Sequence, residues 1–256
     1  MRFRKDYFIR NVWILLLFLY ENFNVFLFHP ENYHGCDFCQ VFLWKVYGSG
    51  IVDREHTQTM VIISGLLFVV VCNFLYANFF YKDLHVSSIY IFTRNNNRFK
   101  WLINRSLELA VYVFISVSIY VGAAFVAAGY LSKKSFQTSD AIFCITVFLA
   151  MYLYCYFTCY VINVVSVYWG SGYAFFSMMI LQAVMAELAI NHEKIPVLKD
   201  MPWLLKLNPV ANIICSWKIS GALHLLVYFG GLSIGFFVIC YLTIRNRDMG
   251  LDNKEM

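Results

Sequence analysis

Four predominantly apolar stretches of the chain contain no Asp, Glu, Lys or Arg: residues 57–81, 109–132, 141–186 and 219–244. Twenty helical residues rise about 30 Å, the hydrocarbon thickness of a bilayer, so each stretch is long enough to cross one. The third runs 46 residues. As one helix it would extend about 69 Å, and Trp169-Gly170-Ser171-Gly172 near its middle supplies the turn chemistry that folds it into two. A sixth candidate, 11–28, is interrupted by Glu21, Asn22 and Asn24, which apolar residues 12–20 and 25–28 flank on either side. The pattern therefore predicts an all-α polytopic membrane protein, a single transmembrane domain over 1–256. Its six spans fall at about 11–28, 59–81, 106–131, 141–167, 173–190 and 221–244. A cleaved signal peptide competes for the basic start and the apolar run behind it, but no small-residue cleavage site follows.

Composition agrees. The chain is 61% hydrophobic and 14% charged, against roughly 45–50% and about 25% for a soluble domain. Six spans leave both termini on one side, and the positive-inside rule selects the cytoplasm. With the N-terminus inside, the cytoplasmic segments hold twelve of the twenty Lys and Arg against five acids, and the external ones eight against seven acids. Glu21, Glu108 and Glu187 fall at or within spans. The formal charge of +5 thus reads as a topology signal beside anionic headgroups, with membrane lipids as neighbours and no nucleic acid.

The connections are unequal. The cytoplasmic loop 82–105, KDLHVSSIYIFTRNNNRFKWLINR, sets an apolar patch (Val86, Ile89, Ile91, Phe92) before four basic residues, which suits a short helix on the membrane surface. The external loops are 29–58 and 191–220. The second contains Pro196, Pro202 and Pro209 and the stretch MPWLLKLNPVANIICSW, too apolar for a solvated loop and too broken for a span; a re-entrant or interfacial pair of short helices fits it.

Candidate chemistry is sparse. No G-x-x-x-x-G-K-[ST] phosphate loop occurs, so ATP hydrolysis by this chain alone is not expected and no cofactor is assigned to it. An intramembrane serine protease would pair Ser171 with a membrane His such as His224, but the Gly required two residues before the Ser is Trp169 here. Externally, His29, His34, Cys36 and Cys39 offer two imidazoles and two thiols within eleven residues, chemically enough for a tetrahedral zinc. The Cys-x-x-Cys pair could equally form a disulfide or stay free. Glu21 with Asn22 and Asn24 is the candidate internal polar site, because a carboxylate at a span centre costs about 2.5–3.5 kcal/mol and needs a partner or a wet cavity. An N-terminal helix lying in the interface is the alternative setting for it. The other six cysteines act as small apolar residues. Close helix contact is signalled by Gly231-x-x-x-Gly235 and by the small residues at 122–124 and 127–129.

A basic amphipathic N-terminal segment (1–10), six spans, a patterned first cytoplasmic loop and a broken apolar segment before the last span together resemble an ABC-2-type exporter permease. More specifically, SSIYIFTRNNNRFKWLINRSLELAVY (87–112) and FLWKVYGSG (42–50) look like membrane subunits of bacterial transporters for lantibiotic immunity or phenol-soluble-modulin export. The resemblance implies an interfacial elbow at the N-terminus, a coupling helix and external re-entrant helices. It also implies residence in the bacterial plasma membrane and pairing with two copies of a separate cytoplasmic ATPase, which binds ATP and Mg. A second permease, identical or related, would complete the pump. The coupling helix would be Leu84, His85, Val86, Ser87, Ser88, Ile89, Tyr90, Ile91, Phe92 and Thr93, with Trp169 and Gly170 as a second contact. The substrate class implied is an amphipathic, antimicrobial or cytolytic peptide. Two other functions stand beside this one: a self-contained secondary transporter using Glu21 for proton coupling, and a membrane enzyme or receptor using the His/Cys loop.

Overall fold

The computed structural model describes residues 9, 12, 13, 16, 37–47, 66–81, 98–132, 136–191, 195, 203–214 and 222–246. Every regular element among them is a helix: α1 (Phe38–Tyr47), α2 (Leu67–Tyr76), α3 (Arg98–Leu131), α4 (Thr138–Trp169), α5 (Ser171–Ile190), α6 (Trp203–Lys206), α7 (Pro209–Ile214) and α8 (Ala222–Asn246). Three of them are long and apolar enough to cross a membrane, over Phe99–Leu131, Thr138–Trp169 and Ser171–Ala189. Leu67–Tyr81 and Val227–Leu242 are shorter apolar helices. The chain is a helical membrane protein.

Helix α4 is the hub: α1, α2, α3, α5, α7 and α8 all pack against it. Its buried face alternates aromatic and small residues, with Tyr154, Cys155, Cys159 and Tyr160 fully enclosed. Ring pairs set the directions of the helices. Phe68 stacks on Tyr120, Tyr76 on Tyr112 and Phe80 tilts against Trp101, so α2 and α3 are antiparallel. Tyr154 meets Phe229, Phe157 meets Phe236 and Tyr160 meets Phe237, so α4 and α8 are parallel. The two ends of the bundle follow. Residue 81, the start of α3, the α4–α5 turn and the end of α8 share one end, which we call the Gly170 end. The α3–α4 turn, α6, α7 and the start of α8 share the other.

The turn at Gly170 is a conformational necessity. Its φ of 80° with ψ of 158° lies in a region essentially restricted to glycine, and it is the one positive-φ residue among those described. At the opposite end, Asn208 precedes Pro209 and accepts the Val210 and Ala211 amides at 2.9 and 3.2 Å, an N-cap followed by the favoured N1 proline. Its Nδ2 also donates to the Met185 carbonyl at 2.6 Å, and the Tyr228 hydroxyl donates to the Leu207 carbonyl at 2.6 Å. The apolar segment 203–214 is therefore two short helices stitched to α5 and α8.

Within 29–58, α1 is a ten-residue helix with Val41, Phe42 and Val46 fully buried against the bundle. Phe38 meets the edges of Phe125 and Phe136, and the Tyr120 hydroxyl donates to the Val46 carbonyl at 2.9 Å. Most of the expected first span lies outside the described residues. Ile9, Val12, Trp13 and Leu16 are helical and exposed, at the spacing of one helix face.

Candidate functional site

Two features converge on the Gly170 end: a seam of uncharged polar side chains between α2, α3 and α4, and the connections that leave the bundle beside it. The seam begins at mid-helix. Asn73 Oδ1 accepts from the Thr158 hydroxyl at 2.8 Å and from the Cys159 thiol at 3.4 Å, while Asn73 Nδ2 has no hydrogen-bond partner among the described residues. One turn on, the Tyr76 hydroxyl shares a 2.8 Å bond with Ser116. Asn163 closes the seam. Its Oδ1 accepts the Phe80 amide at 2.7 Å, and its Nδ2 donates to the Tyr76 carbonyl at 2.7 Å and to the Cys159 carbonyl at 2.8 Å. Asn73, Ser116, Thr158 and Asn163 are completely buried. Hydrocarbon offers no competing water, so such bonds fix helix register, each worth about 0.6–1.7 kcal/mol in measured cases.

At the end itself, Phe80 packs on Trp101 and, edge-on, on Tyr160, which brings the exit of α2 beside the entry of α3 and the last turns of α4. Tyr168, Trp169 and Tyr173 stand exposed around the turn, in the manner of interfacial aromatics. Arg105 pairs with Glu108 one turn along α3, so Glu108 is locally neutralised near the end of the span. Glu187, towards the other end of the bundle, accepts from Asn191 at 2.6 Å.

Of the sequence candidates, Trp169 and Gly170 are at this end, Trp169 exposed and Gly170 forming the turn. Leu84, His85, Val86, Ser87, Ser88, Ile89, Tyr90, Ile91, Phe92 and Thr93 lie outside the described residues, as do Glu21, Asn22 and Asn24, and His29, His34 and Cys36. Cys39 is described. Its thiol donates to Asp140 Oδ1 at 3.2 Å while Asp140 Oδ2 accepts the Gln137 amide at 2.9 Å. Burial, and then the Asp140 carboxylate, push the Cys39 thiol up from 9.0 to about 12, so it is a poor nucleophile at neutral pH. Burial lowers the Lys45 ammonium in the same helix. No group of three or more His, Cys, Asp or Glu that could hold a metal occurs among the described residues. Ser171 and His224 lie at opposite ends of the bundle, separated by α5, about 30 Å long.

Asn73, Asn163 and Gln182 carry the interior polarity and were not singled out from sequence. A signal existed: Asn163 and Gln182 are the only Asn or Gln in 141–186, and Gln182 Nε2 donates to the Tyr154 hydroxyl at 3.1 Å. Compared with family models, curated proteins and solved structures, the chain matches none.

Proposed function

We propose that this chain is the permease subunit of an ATP-driven ABC exporter of the ABC-2 type, working with a separate cytoplasmic ATPase in a bacterial plasma membrane. What supports the reading most is the shared end of the two connections. Phe80 touches Trp101 and bonds Asn163, so the segment between residues 81 and 98 and the turn at Gly170 leave the bundle side by side. A docking subunit would meet both at once. In this reading ATP and Mg would be bound by the partner, since this chain has no phosphate loop, and two copies of the partner would serve a pair of permeases.

In this reading ATP-driven closure of the ATPase pair pushes on 84–93 and on Trp169. The push is converted into rocking of α2 and α4, because packed helices shift between discrete arrangements rather than deform. An amphipathic peptide would enter from the membrane and leave at the Asn208 end, for export or for self-immunity, with both termini of the permease on the ATPase side. Copurification with an ATPase subunit, lost on changing Ile89 and Tyr90 to Ala and weakened by Trp169→Ala, is the expected result. Transport that persists without any ATPase and collapses with the proton gradient would overturn the proposal in favour of a secondary transporter.

A further inference from the structure

A transmembrane helix satisfies its backbone internally, because hydrocarbon offers no replacement for a missing bond. Helix α2 departs from this at one place. Its regular part ends at Tyr76, residues 77 and 78 form a turn, and helix resumes at 79–81. In an unbroken helix the Phe80 amide would donate to the Tyr76 carbonyl. Here both groups are taken by one side chain from another helix: Phe80 N–H donates to Asn163 Oδ1, and Asn163 Nδ2 donates to Tyr76 O, each at 2.7 Å. The amide of Asn163 is spliced in series into the ladder of α2, and a side chain inserted into a ladder is an established cause of helix bending.

Both sides of this splice are anchored. Upstream, the Tyr76 hydroxyl is fixed to α3 through Ser116 Oγ at 2.8 Å and the Tyr112 carbonyl at 3.3 Å, and Asn73 to Thr158 and Cys159 of α4. Downstream, the Phe80 ring stands edge-on to Tyr160 of α4 and tilts against Trp101 of α3, and Phe79 meets the edge of Tyr112 of α3. Asn163 is itself tied down by donating to the Cys159 carbonyl of its own helix at 2.8 Å. It lies seven residues before Gly170, about 10 Å along the helix.

We infer that Ala77–Asn78 is a hinge between the body of α2 and residues 79–81, with Asn163 its pin. A single amide supplies both the acceptor and the donor that Phe80 and Tyr76 would otherwise offer each other. Withdrawal of Asn163 therefore leaves two groups able to pair directly and close α2 into a continuous helix. The bundle has two defined arrangements at this end, differing in whether the amide is inserted. The inference concerns the chain alone and does not depend on an ATPase.

Two measurements on the full chain in lipid nanodiscs test it. In hydrogen exchange, Asn163→Leu, which keeps volume and removes both bonds, is expected to change exchange over 77–81 by about tenfold or more, with less than a twofold change over 67–73. An equal change in both segments, or none in either, would overturn the hinge. The second measurement needs no variant at 163. With nitroxides attached bio-orthogonally, the wild-type distance distribution across the splice, positions 74 and 81, is expected to be broader than that over the same number of residues in the unbroken part, positions 67 and 74. Equal widths, or the reverse order, would overturn the hinge.

Discussion

At the scale of single residues, the chemistry of this protein lies in uncharged side chains and one glycine, and two predictions follow from their geometry. Gly170 has φ of 80° and ψ of 158°, and a Cβ added there would meet nothing within 4 Å. Gly170→Ala therefore carries a backbone cost without a steric one, about 1–3 kcal/mol, and should lower the thermal unfolding midpoint in detergent without changing expression topology. Cys39 makes the second case. Its pKa rises from 9.0 to about 12 on folding, so the folded chain holds the thiol proton more tightly than the unfolded one. That contribution to stability is complete below pH 9 and lost as pH climbs towards 12. Alkylation of Cys39 at pH 9 should be about tenfold or more slower than that of the denatured chain, because the thiolate is the attacking species. Asp140→Asn keeps the acceptor for the Gln137 amide, removes the charge facing the thiol, and should speed the reaction; an unchanged rate would show that burial alone protects it. Little of this was legible in the sequence. Gly170 was, because it sat in a Gly-Ser-Gly run inside an overlong apolar stretch. Asn163 was not, because nothing in a sequence says which face of α4 meets α2.

At the scale of helices, legibility followed charge. Expected spans 141–167 and 173–190 became α4 over Thr138–Trp169 and α5 over Ser171–Ile190, since the charge-free length is the feature a bilayer selects. Helix α3 instead starts at Arg98, ahead of the expected 106. Lys100, Arg105 and Glu108 ride on a helix that outruns the hydrocarbon, and the Arg105–Glu108 pair removes one reason to stop. Helix α1 escaped the sequence reading altogether, because ten residues with Lys45 among them are too short and too polar for a span. It is nonetheless core: Phe42 is fully buried, and Phe42→Ala should cost about 3–5 kcal/mol, seen as loss of a cooperative melt, whereas a solvated loop residue would cost almost nothing. The glycines of α8 go the other way. Gly231 and Gly235 are exposed, and an added Cβ at either meets nothing within 4 Å, so their small size serves no contact among the described residues. Gly231→Ala and Gly235→Ala should leave the stability of the isolated chain unchanged or raise it by up to about 1 kcal/mol each, read as an unchanged or slightly higher melting midpoint.

For the whole molecule, the decisive property is that the bundle has two unlike ends. One carries the basic residues Arg98, Lys100, Arg105 and Arg245, the aromatic ring of Tyr168, Trp169 and Tyr173, and the exit of α2. The other carries the short helices α6 and α7, the second capped by Asn208, and the Cys39–Asp140 contact. With 32 residues, α4 rises about 48 Å, more than the roughly 30 Å of hydrocarbon, so both of its ends reach water or headgroups. Phe136 and Trp169 flank it and are exposed. In a chain whose accessible native thiols are replaced, the orientation proposed from the positive-inside rule predicts that Phe136→Cys reacts with a membrane-impermeant maleimide in intact cells, and Trp169→Cys only after permeabilisation. Reaction of both positions from one side would contradict a membrane-spanning α4, at whose two ends they lie. The inverse pattern would leave the bundle intact but turn the Gly170 end outward, where no cytoplasmic ATPase could reach it. That outcome would remove the exporter proposal while sparing the hinge at Ala77–Asn78, which belongs to the bundle whichever way it faces.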